Sequence, residues 1–338
     1  MLYTVSPMYC AEISTDESRG ALGSFLQLFC TLGFLLVYAI GPYVSYAGVA
    51  YIGIAVVAAF IVFFIFMPET PFYHLLNNDR EKAAQSLQTL RGRSREGVEA
   101  ELSKMALEVQ ASMEKTASIA DVFRGSNFKA FYISCALCAF QQFSGINAVL
   151  FYMTNIFDAS GSQLDASIAT IIIGAVQFAA SSVTPLVVDR LGRKILFLFS
   201  SCGAALGLAL LGMFFLLKEQ GSPIVDSIGF IPILSLVLFI ITYCVGLGPL
   251  PWAVMGELFP IEVKAIASPI ATAFCWALSF LITRYFSAFS LYVAFWFFGA
   301  CCIVSFVFTL LVVPETKGKS FAEIQDILAG RAKKSGKA

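Results

Sequence analysis

Residues Gln141 to Tyr152 read QQFSGINAVLFY within a stretch that is otherwise apolar enough to sit in lipid. Two adjacent glutamines, a Ser-Gly pair and an asparagine are costly at bilayer depth, and such groups face a pathway or a partner helix rather than lipid. Amides donate and accept hydrogen bonds without carrying charge, so the ligand they suit is polar, uncharged and rich in hydroxyls. On a straight helix Gln141 and Gln142 diverge by about 100°, and Asn147 lies about 140° from Gln142. An unbroken helix therefore scatters the three amides, whereas a break at Ser144-Gly145 would bring them to one cavity. Interhelical hydrogen bonding accounts for one of them more easily than for all three.

A second span carries GLGPLPW, Gly246 to Trp252. Each proline removes a backbone donor and bends the helix. Interrupted helices line cavities where freed backbone groups find partners, although a plain packing kink gives the same pattern. Trp252 adds a flat face on which a sugar ring could stack. Gln27 and Gln177 are lone amides in other spans, open to either helix packing or ligand contact. Gly203-xxx-Gly207 points to close helix packing.

DRLGRK, Asp189 to Lys194, reads as a tight turn at Gly192 between two spans. Arg19-Gly20, Glu257 and Lys264 lie at helix ends on the same side, and together these charges could join helices as a gate latch. No acid pair, histidine pair or Ser/His/Asp set falls at membrane depth, which argues against an enzyme. The single histidine is His74, and the nine cysteines show neither metal-ligand nor disulfide spacing, so no metal or cofactor is expected.

The elements that must position these residues are membrane helices. Hydrophobic residues make up 58% of the 338, and charged residues 13%, about half the share of a soluble domain. Mean hydropathy is +0.81. Eight segments are long and apolar enough to cross, namely about 20–41, 46–67, 130–154, 166–188, 195–217, 229–255, 265–285 and 290–313. With loops assigned alternately, all 22 Lys and Arg except Lys218 and Arg284 fall on one side, which the positive-inside rule makes cytoplasmic. Net charge is zero, and nothing points to nucleic acid. Residues 1–18 are too short and too acidic to cross alone, and they lack the pattern of a cleavable signal peptide.

Residues 68–126 are the longest polar stretch. Val98, Leu102, Met105 and Val109 recur with helical period, Asp79 to Leu90 reads as a short helix, and Ser118-Ile-Ala-Asp121 as a capping box. In the C-terminal tail, Ser320 with Glu323 repeats the box and Gly330 reads as a stop.

These features assemble into a recognisable series: Pro7-x-Tyr9-x-Ala11-Glu12-Ile13 with Arg19-Gly20, Pro68-Glu69-Thr70-Pro71, QQFSGINAV, DRLGRK, GPLPW, Glu257-Leu258-Phe259-Pro260 and PETKGKSFAEI from Pro314 to Ile324. In this order the chain resembles the sugar porter family of the major facilitator superfamily, the facilitative glucose transporters and their facilitated trehalose-transporting relatives. The resemblance covers nearly the whole chain. It implies an all-α polytopic membrane protein, a major facilitator fold lacking the first three helices and most of the fourth. Eight complete transmembrane helices, matching family helices five to twelve, would be joined by cytoplasmic helices. The expected organisation is a remnant of the N-terminal transmembrane half (1–67), a cytoplasmic helical linker (68–126), a C-terminal six-helix half (127–313) and a cytoplasmic tail (314–338).

The resemblance further implies that Gln141, Gln142, Asn147 and Gln27 hydrogen-bond sugar hydroxyls, with Trp252 and Trp276 as the family's ring-facing tryptophans. Glu12, Arg19, Asp189, Arg193, Glu257 and Lys264 match its cytoplasmic charge network. Four sites depart from the pattern: Cys275 stands where the family has Asn, Cys244 where it has Glu, Lys264 where it has Arg, and Phe72-Tyr73 where an Arg commonly follows the Pro-Glu-Ser/Thr-Pro motif. The implied function is facilitative transport of hexose or trehalose across the plasma membrane by alternating access. The alternative is a truncated, non-transporting fragment or a partner subunit, associating with a full-length transporter or with itself.

Overall fold

The computed structural model describes residues 2–15, 19–113, 118–160, 165–259, 261–317, 319 and 321–329. Its elements are helical. They run α1 (Leu2–Ile13), α2 (Arg19–Ile40), a 3-10 turn (Gly41–Tyr43), α3 (Tyr46–Phe64), α4 (Pro71–Leu76), α5 (Arg80–Arg91), α6 (Arg95–Met113), α7 (Ile119–Val122), α8 (Gly125–Phe143), α9 (Ile146–Phe151) and α10 (Met153–Ser160). There follow α11 (Ala166–Leu191), α12 (Arg193–Glu219), α13 (Ile224–Ser227), α14 (Ile231–Val245), α15 (Leu250–Leu258), α16 (Ile261–Phe286), α17 (Leu291–Leu311) and α18 (Phe321–Leu328).

Among the described residues seven helical stretches are long and apolar enough to cross a membrane: Tyr46–Phe64, Gly125–Phe151, Ala166–Val187, Arg193–Glu219, Ile231–Leu258, Val263–Phe286 and Leu291–Leu311. Within α2, Gln27–Tyr43 is apolar but shorter. Two crossings are each built from two helices in line, α8 with α9 and α14 with α15. α3 buries none of its residues and exposes Tyr, Val, Ile and Phe all round. A helix apolar on every face needs an apolar solvent, which lipid supplies.

The chain divides into two compact units, Met1–Leu26 with Ala39–Ser118 and Gln27–Tyr38 with Ile119–Ala338. In the first unit α4, α5 and α6 enclose a core of their own. Val98, Leu102, Met105 and Val109, the helical-period residues, pack there with Leu75, Ala83, Ala84 and Leu87. Local chemistry sets the helix starts. Asp79 accepts from the Lys82 amide at 3.1 Å, and Thr70 of the Pro-Glu-Thr-Pro motif accepts from Tyr73 at 3.2 Å with Pro71 in the first turn. Arg91 is 10% exposed; it pairs with Glu101 at 2.8 Å and donates to the Ile13 carbonyl at 2.7 Å, just where α1 ends. Exposed pairs Arg80–Glu99 and Arg95–Glu81 lie on the outside of the same bundle.

In the second unit α12 packs along both α14 and α17. Gly203 and Gly207 are the contact points with α14, since a Cβ on Gly203 would strike Thr242 and one on Gly207 the Ser235 carbonyl. Small residues let the backbones approach in this way. α7 is one turn, and the tail's expected capping box and stop involve Ser320 and Gly330, which lie outside the described residues.

Candidate functional site

The QQFSGINA segment breaks at the expected place. α8 ends at Phe143, Gly145 turns left-handed with φ 78°, and α9 restarts at Ile146. A Cβ on Gly145 would run into the Phe298 ring of α17, so both the backbone angle and the close approach require glycine. The turn satisfies its own backbone: Ser144 donates its hydroxyl to Gln141 O at 2.7 Å, and Val149 N reaches Gly145 O at 2.9 Å. The consequence is geometric. Asn147 Nδ2 donates to Gln142 Oε1 at 2.6 Å and to Ser279 Oγ on α16 at 2.7 Å. Gln142 Nε2 points to the Cys275 thiol at 3.1 Å.

Gln141 is placed differently. Its Nε2 donates to the carbonyls of Leu247 (3.1 Å) and Gly248 (2.6 Å), and its Oε1 faces the Cys275 thiol at 3.7 Å. Those carbonyls belong to the break between α14 and α15. Pro251 has no N–H with which to serve Leu247 O, its partner four residues back in a continuous helix. Three neighbouring helices supply the missing partners from side chains. Gln141 comes from α8, Thr184 of α11 donates to Cys244 O at 3.0 Å, and Ser200 of α12 accepts from Leu247 N at 2.9 Å. The break presents Trp252, half-buried, in the first turn of α15.

Cys275 and Ser279 sit one turn apart on α16 and face the amides. Their i, i+4 spacing, the mark of one helix face, was the signal available in the sequence. Trp276 lies about 100° further round that helix and is 44% exposed. Gln27 is half-buried on α2. Gln177 on α11 is 1% exposed and its Oε1 has no hydrogen-bond partner among the described residues.

The charged end of the same unit is organised around Glu315. The turn at Gly192, φ 88°, aims the N–H groups of Arg193 and Lys194 at the Glu315 carboxylate, both at 3.0 Å, and Lys317 N adds a third at 2.9 Å. The first amides of α12 are a natural anion seat. Burial pushes Glu315 up, but these amides and that of Thr316 together hold it below the usual glutamate value. Arg193 also pairs with Glu257 at 3.0 Å. Lys264 donates to the Gly256 carbonyl at 3.1 Å. Glu12 is half-buried on α1 in the other unit, and the side chains of Arg19 and Asp189 lie outside the described residues. Glu315 was legible only as part of the PETKGKSFAEI motif, with no partner visible from sequence.

The second unit thus combines two interrupted helices, an amide and hydroxyl cluster that one of them shares with α16, and an ion-paired end. The sugar (and other) transporter family model matches residues 1–328, and the chain belongs to that family. It is 38% identical to the facilitated trehalose transporter Tret1 of Anopheles gambiae, over 97% of this chain and 42% of that protein. Tret1 of Polypedilum vanderplanki is also 38% identical, over 97% and 66%. The chain thus spans less than two thirds of these relatives' length. Among solved structures, the proton:xylose symporter XylE bound to 6-bromo-6-deoxy-D-glucose superposes with a TM-score of 0.77 at 25% identity, over 95% of this chain and 70% of that one. A partially occluded, inward-open form of XylE from E. coli gives 0.73 at 26% identity.

Proposed function

We propose that the chain carries a neutral sugar, trehalose or a hexose, through the membrane by alternating access, without a coupled cofactor. The observation that carries this reading is the Gln142–Asn147–Ser279 cluster, uncharged donors and acceptors held at a helix break. Sugar hydroxyls both donate and accept, so amides and a serine match them without the desolvation cost of a charge. Gln141, Gln142, Asn147 and Gln27 would hold hydroxyls, with Trp252 and Trp276 against the ring. The relatives' names point to trehalose, and the XylE complex to a hexose derivative.

In this reading α2 with its flanking turn makes the eighth crossing. Residues 68–126 and the tail face the cytoplasm of a plasma-membrane protein, and the Arg193–Glu257 and Glu315 contacts hold that end closed until the helices rock apart. The test is uptake of radiolabelled trehalose and glucose into vesicles containing this chain, with Trp252→Leu as control. Saturable uptake that the control loses supports the reading. No uptake by correctly inserted protein overturns it.

A further inference from the structure

We propose that Tyr38 latches the end of the pathway opposite the Glu315 turn: its hydroxyl ties α2 to the far end of α9, the short helix that carries Asn147. The proposal rests on the transport reading above for its effect on sugar, while the latch itself can be tested without transport.

α8 starts beside the tail helix, where Lys129 donates to Leu328 O at 2.9 Å, and runs away from it, so α9 lies toward the opposite end. α9 has six residues, set off from α8 by Gly145 and ended by a bend at Tyr152. The bend denies Leu150 O the helical N–H four residues on. Tyr38 OH, 112 positions away on α2, donates to it instead at 3.0 Å. An unpaired carbonyl inside a membrane protein is unfavourable, so the phenol fills a defined need. Its ring is seated as well. A Cβ on Gly174 of α11 would lie 2.9 Å from Tyr38 Cδ2, so the glycine makes the room that the ring occupies. Glycine inside a helix costs about 1 kcal/mol against alanine, and the seat accounts for it. On its other flank α9 is followed by Tyr152, whose hydroxyl lies 3.4 Å from Thr283 O and whose ring packs on Phe286, both on α16. On the proposed reading α2 belongs to the N-terminal half, and α9, α11 and α16 to the C-terminal one. Halves that rock apart at this end keep the Tyr152 contacts and break the Tyr38–Leu150 bond. A bond made in one state only biases the equilibrium by its own free energy, whereas one kept in both shifts nothing.

The test compares Tyr38→Phe, which keeps the ring and removes the hydroxyl, with Tyr43→Phe, a tyrosine 82% exposed on the turn just beyond α2. The first readout is the rate at which a membrane-impermeant maleimide, applied without sugar from the non-cytoplasmic face, modifies Cys275 among the amides, followed by peptide mass spectrometry. Cys302, buried on α17, reports general loosening in the same digest. Tyr38→Phe is expected to speed modification of Cys275 about fivefold, the scale of one hydrogen bond, and to leave Cys302 unchanged. Tyr43→Phe should change neither. Gly174→Ala, which displaces the phenol, should act in the same direction and add little in a Tyr38→Phe background. In transport, Tyr38→Phe should lower the KM for sugar entering from that face and raise it for sugar leaving. Unchanged modification of Cys275, equal acceleration at Cys302, or KM moving the same way at both faces overturns the latch. If the unaltered chain moves no sugar, the transport reading falls, and the modification rates alone decide the role of Tyr38.

Discussion

The two helix interruptions in the second unit solve the same problem in opposite ways. At Ser144-Gly145 the break is made by a glycine and its hydrogen bonds are closed by its own neighbours, the Ser144 hydroxyl and the Val149 amide, with the Phe298 ring of α17 packed over it. At Gly246 to Pro249 the break is made by prolines that remove donors, and side chains of α8, α11 and α12 make up the deficit. The first is self-contained and sterically fixed. The second is held by surrounding helices, so a change in any of them reaches Trp252. On the proposed reading this places the stiff turn under the amides and the adjustable turn ahead of Trp252.

The steepest way to break this contrast is Gly145→Ala. The left-handed angle and the clash with Phe298 together should cost about 3 kcal/mol, read as a lower unfolding midpoint in detergent. Adding Phe298→Leu should recover the steric share and leave the backbone share. At the other break the effects are smaller and distributed. Thr184→Val and Ser200→Ala should each cost about 1 kcal/mol, the scale of one buried hydrogen bond. Pro251→Ala sharpens the point, because it should relieve Gln141→Leu and leave Thr184→Val unrelieved in a double-mutant cycle. Equal relief of both would mean that the turn responds as a whole.

The smallest effect concerns pH. Glu315 titrates below the usual glutamate value in the folded chain, so its stabilisation is complete above the unfolded value of about 4.3 and is lost as pH falls through the lower native one. Glu315→Gln should remove that dependence, and the stability difference from the parent should shrink on acidification. A difference that grows on acidification would contradict the geometry of the Gly192 turn.

Much of this was legible in the sequence because it is local. The apolar runs, the α6 stripe of Val98, Leu102, Met105 and Val109, the short helix from Asp79 and both breaks follow from spacing and from the backbone limits of glycine and proline. What sequence could not supply was the partner at the other end of each bond. Cys275 reads against the family pattern as a lost amide, and only its packing against α8 shows a thiol between two glutamines. Gln141 and Gln142 look alike in the string and differ only because one faces carbonyls more than a hundred positions away. Ser279, Thr184 and Ser200 are ordinary hydroxyls until the helices they face are known.

The central claim is that uncharged amides at the α8–α9 break bind sugar. It is tested most directly by equilibrium binding of radiolabelled trehalose and glucose to the purified chain, comparing the parent with Gln142→Ala and with Ser201→Ala, a buried hydroxyl bonded to Ser305 away from the cluster. Gln142→Ala is expected to weaken binding about tenfold and Ser201→Ala to leave it nearly unchanged. Equal losses in the two variants, or no saturable binding to the parent, would contradict the account.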